Sequence, residues 1–375
     1  MATITKTISV KVFKPTKTKT EALEDLLNIS TELSRFYIAT MEGKGTFSKK
    51  ALHTETYNII KEQYKGIPTG LIQTIRDKAI ETYKSYRAIL KNKKKASIPE
   101  FKKPVVRFDN RTFTLHKTYN SFSYFVSVSA REGRIYLPIV YGDYQLAVLD
   151  KISEGEYKFC TAELSYSKRL NCYVLNISYK YNVEEYRTFK VMGVDMGIDN
   201  YAVFAVPGQV IKFFSGKRHN LKREHYSNLR KELGKKKLLK KIKAIGNKEK
   251  RYMKDINHKI SREIVKIAKK YNAAIQMEDL SNIRERVKMS RKMNRKLHNW
   301  NFYQLQAFIE YKALAEGLKI MRIPPRYTSR MCHVCRHAEK GNRKSQALFK
   351  CKACGYQAHA DYNASMNIAN YAASG

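Results

Sequence analysis

The sequence predicts a multidomain α/β protein, in which a basic β-barrel with a helical insertion precedes an α/β domain carrying a small cysteine-rich module. Three observations predict this architecture. The first half reads as a strand, then helices, then several short strands; strands and helices alternate after about residue 189; and two C-x2-C pairs lie near the end. The 375 residues are enough for two or three domains. We predict domains at 1–188 and 189–375.

The composition is strongly basic and yet rich in core-forming residues. Lys and Arg total 73 against 33 Asp and Glu, which gives a formal net charge of +40. Hydrophobic residues make up 43 %, including 26 Tyr and 16 Phe, which excludes a disordered basic tail protein. A chain of this charge repels itself unless a polyanion binds it. The composition therefore predicts a nucleic-acid partner, with a membrane surface as the second choice.

The N-terminal sequence bears on the compartment. It has no apolar core of the signal-peptide type, and no apolar run approaches the roughly 18 residues that a membrane span needs. We therefore expect a soluble, cytoplasmic protein without a membrane partner.

The pattern of the first half places the barrel and its insertion. A strand is expected over 5–14, and helical spacing within about 20–105 predicts the insertion. The basic connector 91–104 then leads to short strands. The helical positions are Leu26, Ile29, Leu33, Phe36 and Tyr37, and then Ile72, Ile75, Ala79, Tyr83, Tyr86 and Leu90; the strands are 122–128, 134–139, 159–166 and 171–179.

The second half begins with a predicted three-strand meander and then alternates helices and strands. A helix within 260–271 leads into a strand that ends at Glu278, and a final helix begins near Asp361. Between the meander and the first helix lies the basic segment 217–254. The remaining predicted elements are the meander strands 191–198, 201–206 and 209–214, the strand 273–277, the helix 301–316 and the strand 318–323.

Four of the six cysteines form two C-x2-C pairs. Fifteen residues separate the pairs, a spacing typical of a zinc ribbon, which we place at about 327–357. Four thiolates leave no open position for water, so this zinc would be structural. The alternative of two disulfides conflicts with the missing signal peptide. The four cysteines are Cys332, Cys335, Cys351 and Cys354, while Cys160 and Cys172 are expected to be inert core thiols.

Three carboxylates stand at the ends of predicted elements: Asp195 in the first meander strand, Glu278 at the end of a later strand, and Asp361 at the start of the last helix. One carboxylate from each region is the layout of an RNase H-like nuclease core. Two Mg²⁺ ions, about 3.5–4 Å apart, need several hard oxygen ligands of this kind. Singly, each could be a strand end or a helix cap, and Asp361 in particular could cap the last helix.

These motifs resemble the TnpB family over essentially the whole chain. The resemblance rests on Gly193-Val194-Asp195-Met196-Gly197, Met277-Glu278-Asp279-Leu280, Thr328-Ser329 with the four ribbon cysteines, and Asp361…Asn363…Asn367 in this order. It implies a wedge barrel with a helical recognition insertion and a RuvC-type nuclease domain with an inserted zinc ribbon. It also implies an RNA-guided DNA endonuclease that binds a guide RNA and target DNA and reads a short flanking DNA motif. We expect that no protein partner is required and favour a monomer.

The resemblance assigns roles to individual residues. Asp195, Glu278 and Asp361 would be the catalytic carboxylates and the Mg²⁺ ligands. Arg343, in the ribbon, would steady the scissile phosphate; a solvent-facing loop arginine is the alternative. Gln73 would face the flanking-motif DNA, against the ordinary reading of a glutamine on a helix surface. Two departures matter: Arg336 replaces the glycine that commonly follows the second cysteine, and His359 precedes Asp361 where an acidic or polar residue is common.

The basic segment and the 91–107 connector are the natural contacts for nucleic-acid phosphates. Residues 217–254 hold 16 Lys or Arg and 3 Glu, a net charge of +13. The alternative is a solvated helix face. The lysines that we single out for nucleic-acid binding are Lys235, Lys236, Lys237, Lys240 and Lys241.

Two other functions are open. A guide-dependent DNA-binding repressor would bind without cutting, although all three carboxylates remain here. A transposase that joins DNA strands would share the RNase H-like fold, but the ribbon between Glu278 and Asp361 and the predicted front half disfavour it. A tightly bound small RNA would separate both guide-dependent hypotheses from the transposase.

Overall fold

A computed structural model describes residues 2–45, 47–92, 95–118, 122–280, 302–325 and 328–371. The chain forms two compact units, Thr3–Tyr181 and Asn182–Gly375, the latter together with Met1–Ala2. Within the described ranges, no helix combines the length and apolar character that crossing a membrane requires. The functional boundary that we predict after residue 188 stays a prediction.

The first unit is built on a seven-stranded sheet in the order β2-β6-β7-β1-β5-β4-β3. Apolar side chains of β1, β2 and β4 join one core with those of the helices. Across the described part of the chain no pairing joins β2 to β3, so closure into a barrel stays a prediction. The strands are β1 (Ala2–Val12), β2 (Val105–Phe108), β3 (Phe113–Lys117), β4 (Tyr124–Ala130), β5 (Gly133–Val140), β6 (Lys158–Ser167) and β7 (Cys172–Val183).

Three helices lie between β1 and β2, and a fourth follows β5. The predicted helical spacing is confirmed: Leu26, Leu33, Ile72 and Ile75 are all buried. The Ser30 hydroxyl donates to the Val105 carbonyl at 2.7 Å, which fastens a helix to β2. The helices are α1 (Lys17–Lys44), α2 (Lys49–Gln63), α3 (Thr69–Asn92) and α4 (Asp143–Ser153), and the sequence analysis missed α2 and α4 as well as the short strands β2 and β3.

The second unit contains a five-stranded sheet in the order β10-β9-β8-β11-β12. The meander β8-β9-β10 is antiparallel, and β11 runs parallel to both β8 and β12. The three predicted meander strands and the two later strands are therefore confirmed. They are β8 (Lys190–Asp195), β9 (Asn200–Val206), β10 (Val210–Ser215), β11 (Ala273–Glu278) and β12 (Ile320–Ile323).

The first meander strand is shorter than predicted. We expected it to continue to residue 198, but β8 ends at Asp195. The chain turns there because the Gly197 amide donates to the Asn200 carbonyl at 3.0 Å. Asp195 is thus the last residue of its strand and not an interior residue.

The helices of this unit include the basic segment, which forms α5, α6 and the start of α7. α5 has no buried residue and is tied to α7 by Arg223 and Arg230, which both pair with Glu249. The predicted helix 301–316 is confirmed over its described part, and Gly317 follows it at φ +74°. The helices are α5 (Lys217–Lys235), α6 (Leu239–Ile245), α7 (Lys248–Lys270), α8 (Phe302–Ala315) and α9 (Ala360–Ala369).

Helix α9 packs directly on the middle of this sheet, and a glycine makes the approach possible. A Cβ added to Gly193 in β8 would lie 2.0 Å from the Ser365 carbonyl oxygen and 2.4 Å from the Ala369 nitrogen. Both neighbours are backbone atoms of α9, so they cannot swing away. From the next strand, the Gln276 amide donates to the Ile368 carbonyl at 2.8 Å. The helix that begins beside Asp361 is therefore fixed to the strand that ends at Asp195.

Replacing Gly193 by alanine should lower the free energy of unfolding by about 3 kcal/mol, because α9 must move off the sheet. Urea unfolding of the purified chain measures this loss. Gly234→Ala is the matched control: nothing lies within 4 Å of its added Cβ. In a helix, this control change should add up to about 1 kcal/mol. Equal stability of the two variants would contradict the packing described here.

Candidate functional site

Two of the predicted carboxylates lie side by side at one edge of the second sheet. Strand β11 runs parallel to β8, and Met277 is paired with Val194. The next residue on each strand is Glu278 and Asp195, so both side chains leave the sheet at the carboxyl ends of neighbouring parallel strands. This edge is where open α/β sheets build their sites.

The third carboxylate reaches the same edge from α9. Asp361 lies in the first turn of the helix and is 5 % exposed. The Asn200 side-chain amide donates to its Oδ2 at 2.9 Å, which ties it to the start of β9. The alternative reading of Asp361 as the helix cap is wrong: His359 is the N-cap, and its Nδ1 accepts the Asp361 amide at 3.2 Å. The Asp361 carboxylate therefore does not cap its own helix.

The electrostatics show that the three groups share one environment. Burial among protein atoms, together with the charges of Glu278 and Asp361, raises the pKa of Asp195 well above its usual range. Burial likewise raises the pKa of Glu278, although its hydrogen bond to Thr328 and the charge of Arg343 oppose the rise. Clustered carboxylates of this kind repel one another until a cation joins them. Their hard oxygens are the donors that Mg²⁺ prefers.

One arginine enters this acidic cluster from the cysteine-rich module. The Arg343 Nη2 lies 3.3 Å from Asp361 Oδ1 and also donates to the Gln346 carbonyl at 3.2 Å. The backbone of Arg343 forms an isolated bridge with Phe349, which holds its position. The structure thus places Arg343 at the carboxylates, with its side chain 26 % exposed.

Three further side chains that the sequence analysis did not single out complete the surroundings. The Thr328 hydroxyl donates to Glu278 Oε1, and the Gln306 amide donates to the Glu278 carbonyl oxygen at 2.6 Å. Asn200 holds Asp361 as described above. Thr328 is part of the motif that resembles the family, but the motif does not predict which group its hydroxyl bonds. Asn200 lies 161 residues before Asp361, and Gln306 lies 28 residues after Glu278, so no short-range pattern predicts either contact.

The four cysteines of the two C-x2-C pairs come together. Their Sγ atoms all lie within 4.8 Å of one another, with Cys332 to Cys354 at 3.7 Å and Cys335 to Cys351 at 3.5 Å. A tetrahedral zinc with four thiolates has sulfur–sulfur edges of about 3.8 Å. All four are free thiols, as are Cys160 and Cys172, which are half-buried in the first unit. The four-cysteine group can therefore hold a metal ion such as zinc.

Both knuckles turn through the same backbone conformation. Gly355 follows the second pair at φ +72°, and Arg336 follows the first pair at φ +64°. The Arg336 amide donates to the Cys332 carbonyl at 2.9 Å, as the Gly355 amide donates to the Cys351 carbonyl at 3.1 Å. The unusual arginine therefore does not break the knuckle, although a side chain in the left-handed region carries some strain.

Two buried asparagines on α9 fasten the module to the helix that carries Asp361. Asn363 donates to the Met331 carbonyl at 2.7 Å and accepts from the His333 amide at 3.1 Å. Asn367 donates to the carbonyls of Thr328 and Met331. These contacts explain two asparagines of the resemblance motif in structural terms: they place the cysteine-rich module, with Thr328 and Arg343, beside the carboxylates.

The other predicted binding residues lie away from this site along the chain. Gln73 is half-buried on α3 and accepts from Arg111 Nη1 at 2.6 Å, within the first unit. The lysines Lys235, Lys236, Lys237, Lys240 and Lys241 are all exposed at the end of α5 and on α6. Lys235 pairs with Glu232 at 3.1 Å, one turn back. Nothing in these contacts identifies a ligand, so the binding roles stay predictions.

Comparisons with known proteins find relatives of this chain. Residues 302–368 match the family model described as the Cas12f1-like TNB domain. The chain is 32 % identical over 350 residues to the CRISPR-associated endodeoxyribonuclease Cas12f1 of Sulfoacidibacillus thermotolerans, covering 85 % of this chain and 80 % of that one. It is 33 % identical over 252 residues to a TnpB-like protein of Methanocaldococcus jannaschii, covering 64 % and 88 %.

The fold has relatives among solved structures as well. A cryo-EM structure of a Cas12f1–sgRNA–target DNA complex superposes with a TM-score of 0.66 at 17 % identity and covers 98 % of this chain and 99 % of that one. Fold and comparisons together define a mixed α/β protein of the Cas12f1-like type. The chain belongs to the TnpB family, which is related to the small type V CRISPR effectors.

Proposed function

We propose that this chain is an RNA-guided DNA endonuclease that hydrolyses target DNA phosphodiesters at Asp195, Glu278 and Asp361. The carrying observation is the convergence of these carboxylates, one each from β8, β11 and α9, on one edge of a sheet. A Cas12f1 relative at 32 % identity is named an endodeoxyribonuclease, which supports the same activity here.

The residues present fit a divalent metal. Burial and mutual repulsion of the carboxylates leave an acidic cluster in which Arg343 is the one cation among the described side chains that bond it. Asp195, Glu278 and Asp361 would hold Mg²⁺ through hard oxygen ligands. When bound, a pair of such ions supplies an activated hydroxide and stabilises the leaving 3′-oxygen of the cut strand.

The chain's own residues orient the carboxylates and the substrate. Asn200 and the His359 cap fix Asp361, while Thr328 fixes one oxygen of Glu278. Arg343, which lies beside Asp361, would contact the scissile phosphate through its guanidinium. The four cysteines would hold a structural zinc that keeps Arg343 and Thr328 in place.

Sequence specificity would come from base pairing between guide and target, and the protein would contact the nucleic-acid backbone and a short flanking motif. We assign the barrel and its helical insertion to the wedge and recognition roles, with Gln73 and its partner Arg111 facing the flanking DNA. The exposed lysines of the basic segment would contact phosphates.

Arg343→Ala should lower the rate of target cleavage by about 10²-fold, because it removes a charge that stabilises the transition state. Guide and target binding should stay unchanged. Lys344→Ala is the matched control, since it removes an exposed cation from the adjacent position. Single-turnover cleavage on saturating target measures the effect, and equal rates in the two variants would remove Arg343 from the mechanism.

Changing Lys235, Lys236, Lys237, Lys240 and Lys241 together to alanine should weaken nucleic-acid binding and flatten its salt dependence. Each lost phosphate contact reduces the slope of log affinity against log salt by about 0.7–0.9. Titrations of guide RNA and target DNA at several salt concentrations measure the slope. An unchanged slope would leave these lysines as a solvated helix face.

The proposal is tested by expressing the chain with its native flanking DNA and sequencing any RNA that copurifies. The complex is then incubated with Mg²⁺ and plasmid that carries the matching target beside a randomised flank. Cleavage that depends on guide match and flank supports the endonuclease. Target binding without cutting supports a repressor instead, and absence of any bound RNA argues against guidance.

A further inference from the structure

An aromatic side chain lies exposed beside the carboxylate cluster, and the mechanism above does not use it. Phe213 is in β10, the strand at the edge of the second sheet, and 42 % of its surface is exposed. Exposure alternates along β10, so that Ile211 and Phe213 face outwards together. Contiguous exposed apolar patches rimmed by polar residues mark interaction sites, whereas single exposed apolar side chains are ordinary, so the position of Phe213 has to carry the argument.

The strand register aligns Phe213 with a catalytic carboxylate. Asp195 is paired with Val203 across β8 and β9, and Val203 is paired with Phe213 across β9 and β10. Paired residues on adjacent strands point to the same face of a sheet. Phe213 and Asp195 therefore lie in one cross-strand row on the same face, two strand spacings or about 10 Å apart.

A second contact brings the ring towards Asp361. The rings of Phe213 and His359 meet edge to face, with centroids 5.0 Å apart and planes at 80°. His359 in turn accepts the backbone amide of Asp361 at 3.2 Å. Phe213 thus flanks the acidic cluster by two independent routes, the sheet register and the helix cap.

The chemistry of this position fits a nucleobase. Nucleic-acid phosphates bind to cations, the role proposed for Arg343. The bases of single-stranded DNA instead present flat apolar faces that stack on aromatic side chains. A base attached next to a phosphate in the cluster would extend over this face of the sheet. Phe213 offers a half-exposed ring at that place, in a chain whose net charge of +40 indicates a nucleic-acid ligand.

We infer that Phe213 is a stacking platform for a base of the single-stranded DNA beside the scissile phosphate. This inference rests on the proposed nuclease function and adds the residue that orients the substrate strand. Phe189 supplies a matched control: it is 79 % exposed and directly precedes β8, at the opposite end of the strand from Asp195.

The test uses the full chain with Asp195→Ala, which blocks cutting, and a thymidine oligonucleotide that carries one 2-aminopurine. Stacking on an aromatic ring quenches 2-aminopurine fluorescence. The parent protein should quench it, Phe213→Ala should remove most of the quenching, Phe213→Trp should restore it, and Phe189→Ala should behave as the parent. In the cleaving protein, Phe213→Ala should slow cleavage about 10-fold, with guide binding unchanged.

Quenching by Phe213→Ala equal to that of the parent, or a failure of Phe213→Trp to restore lost quenching, would overturn the inference. If Phe213→Ala changes the sedimentation of the protein but not the quenching, the inference is also overturned. Phe213 would then lie in an interface between two copies of the chain. The oligonucleotide needs no guide, so quenching remains readable if RNA guidance fails. Guide-dependent cleavage without any quenching in the parent would sink the inference and keep the proposed function.

Discussion

Asp195→Ala is expected to abolish cleavage of matched target DNA, by about 10³-fold or more, while guide and target binding remain. The charges of Glu278 and Asp361 both act on Asp195, and its loss would remove a proposed metal ligand and with it several kcal/mol of transition-state stabilisation. Single-turnover cleavage and a filter-binding assay on the same preparations measure the two effects. Asp199→Ala is the control, an exposed carboxylate four residues further along.

The raised pKa of Asp195 also predicts how the stability of the Mg²⁺-free protein depends on pH. Because the fold raises the pKa of Asp195, the folded state holds a proton that the unfolded chain releases at lower pH. In buffer without Mg²⁺, the stability of the wild type should therefore fall as pH rises from the ordinary aspartate pKa towards the raised one. The stability of Asp195→Asn should change less with pH over that range and exceed that of the wild type by about 0.5–2 kcal/mol at neutral pH. Loss of target binding in Asp195→Ala, or identical pH profiles, would count against the site.

Cys351→Ser is expected to release bound zinc, melt the cysteine-rich module and abolish cleavage. Structural zinc sites contribute about 10–16 kcal/mol of binding energy, most of which is folding energy for a small module. The module holds Thr328 and Arg343 against the carboxylates. Its loss should therefore abolish activity although Asp195, Glu278 and Asp361 are unchanged. Elemental analysis, thermal unfolding and cleavage on one preparation measure the three effects.

Cys172→Ser is the matched control, since this free cysteine lies in β7 of the other unit. It should keep its zinc and its activity. Full cleavage by Cys351→Ser after zinc has been lost would show that the carboxylates do not need the module. A zinc content that stays at one per chain would exclude the four-cysteine site.

The meander, the strand that ends at Glu278 and the last helix were predictable because each is set by short-range patterns of apolar residues. The cysteine cluster followed from ligand spacing. The predicted end of β8 at residue 198 is wrong. The strand ends at Asp195 because the Gly197 amide turns the chain by bonding the Asn200 carbonyl, a contact that the apolar pattern does not record. The sequence also allowed Asp361 to be the cap of the last helix. The structure shows that His359 is the cap instead, because its Nδ1 accepts the Asp361 amide.

The sequence alone determined which functional groups this protein has: a basic chain, a family motif set, three carboxylates at element ends and four thiols at metal-ligand spacing. Those features are local or compositional, so that residue identity and spacing carry them. Only the tertiary structure decided which side chains meet. Arg343 reaches Asp361, Thr328 reaches Glu278, and Phe213 shares a row with Asp195. These contacts depend on strand order, register and the close approach of α9 at Gly193, which long-range packing sets and no short pattern records.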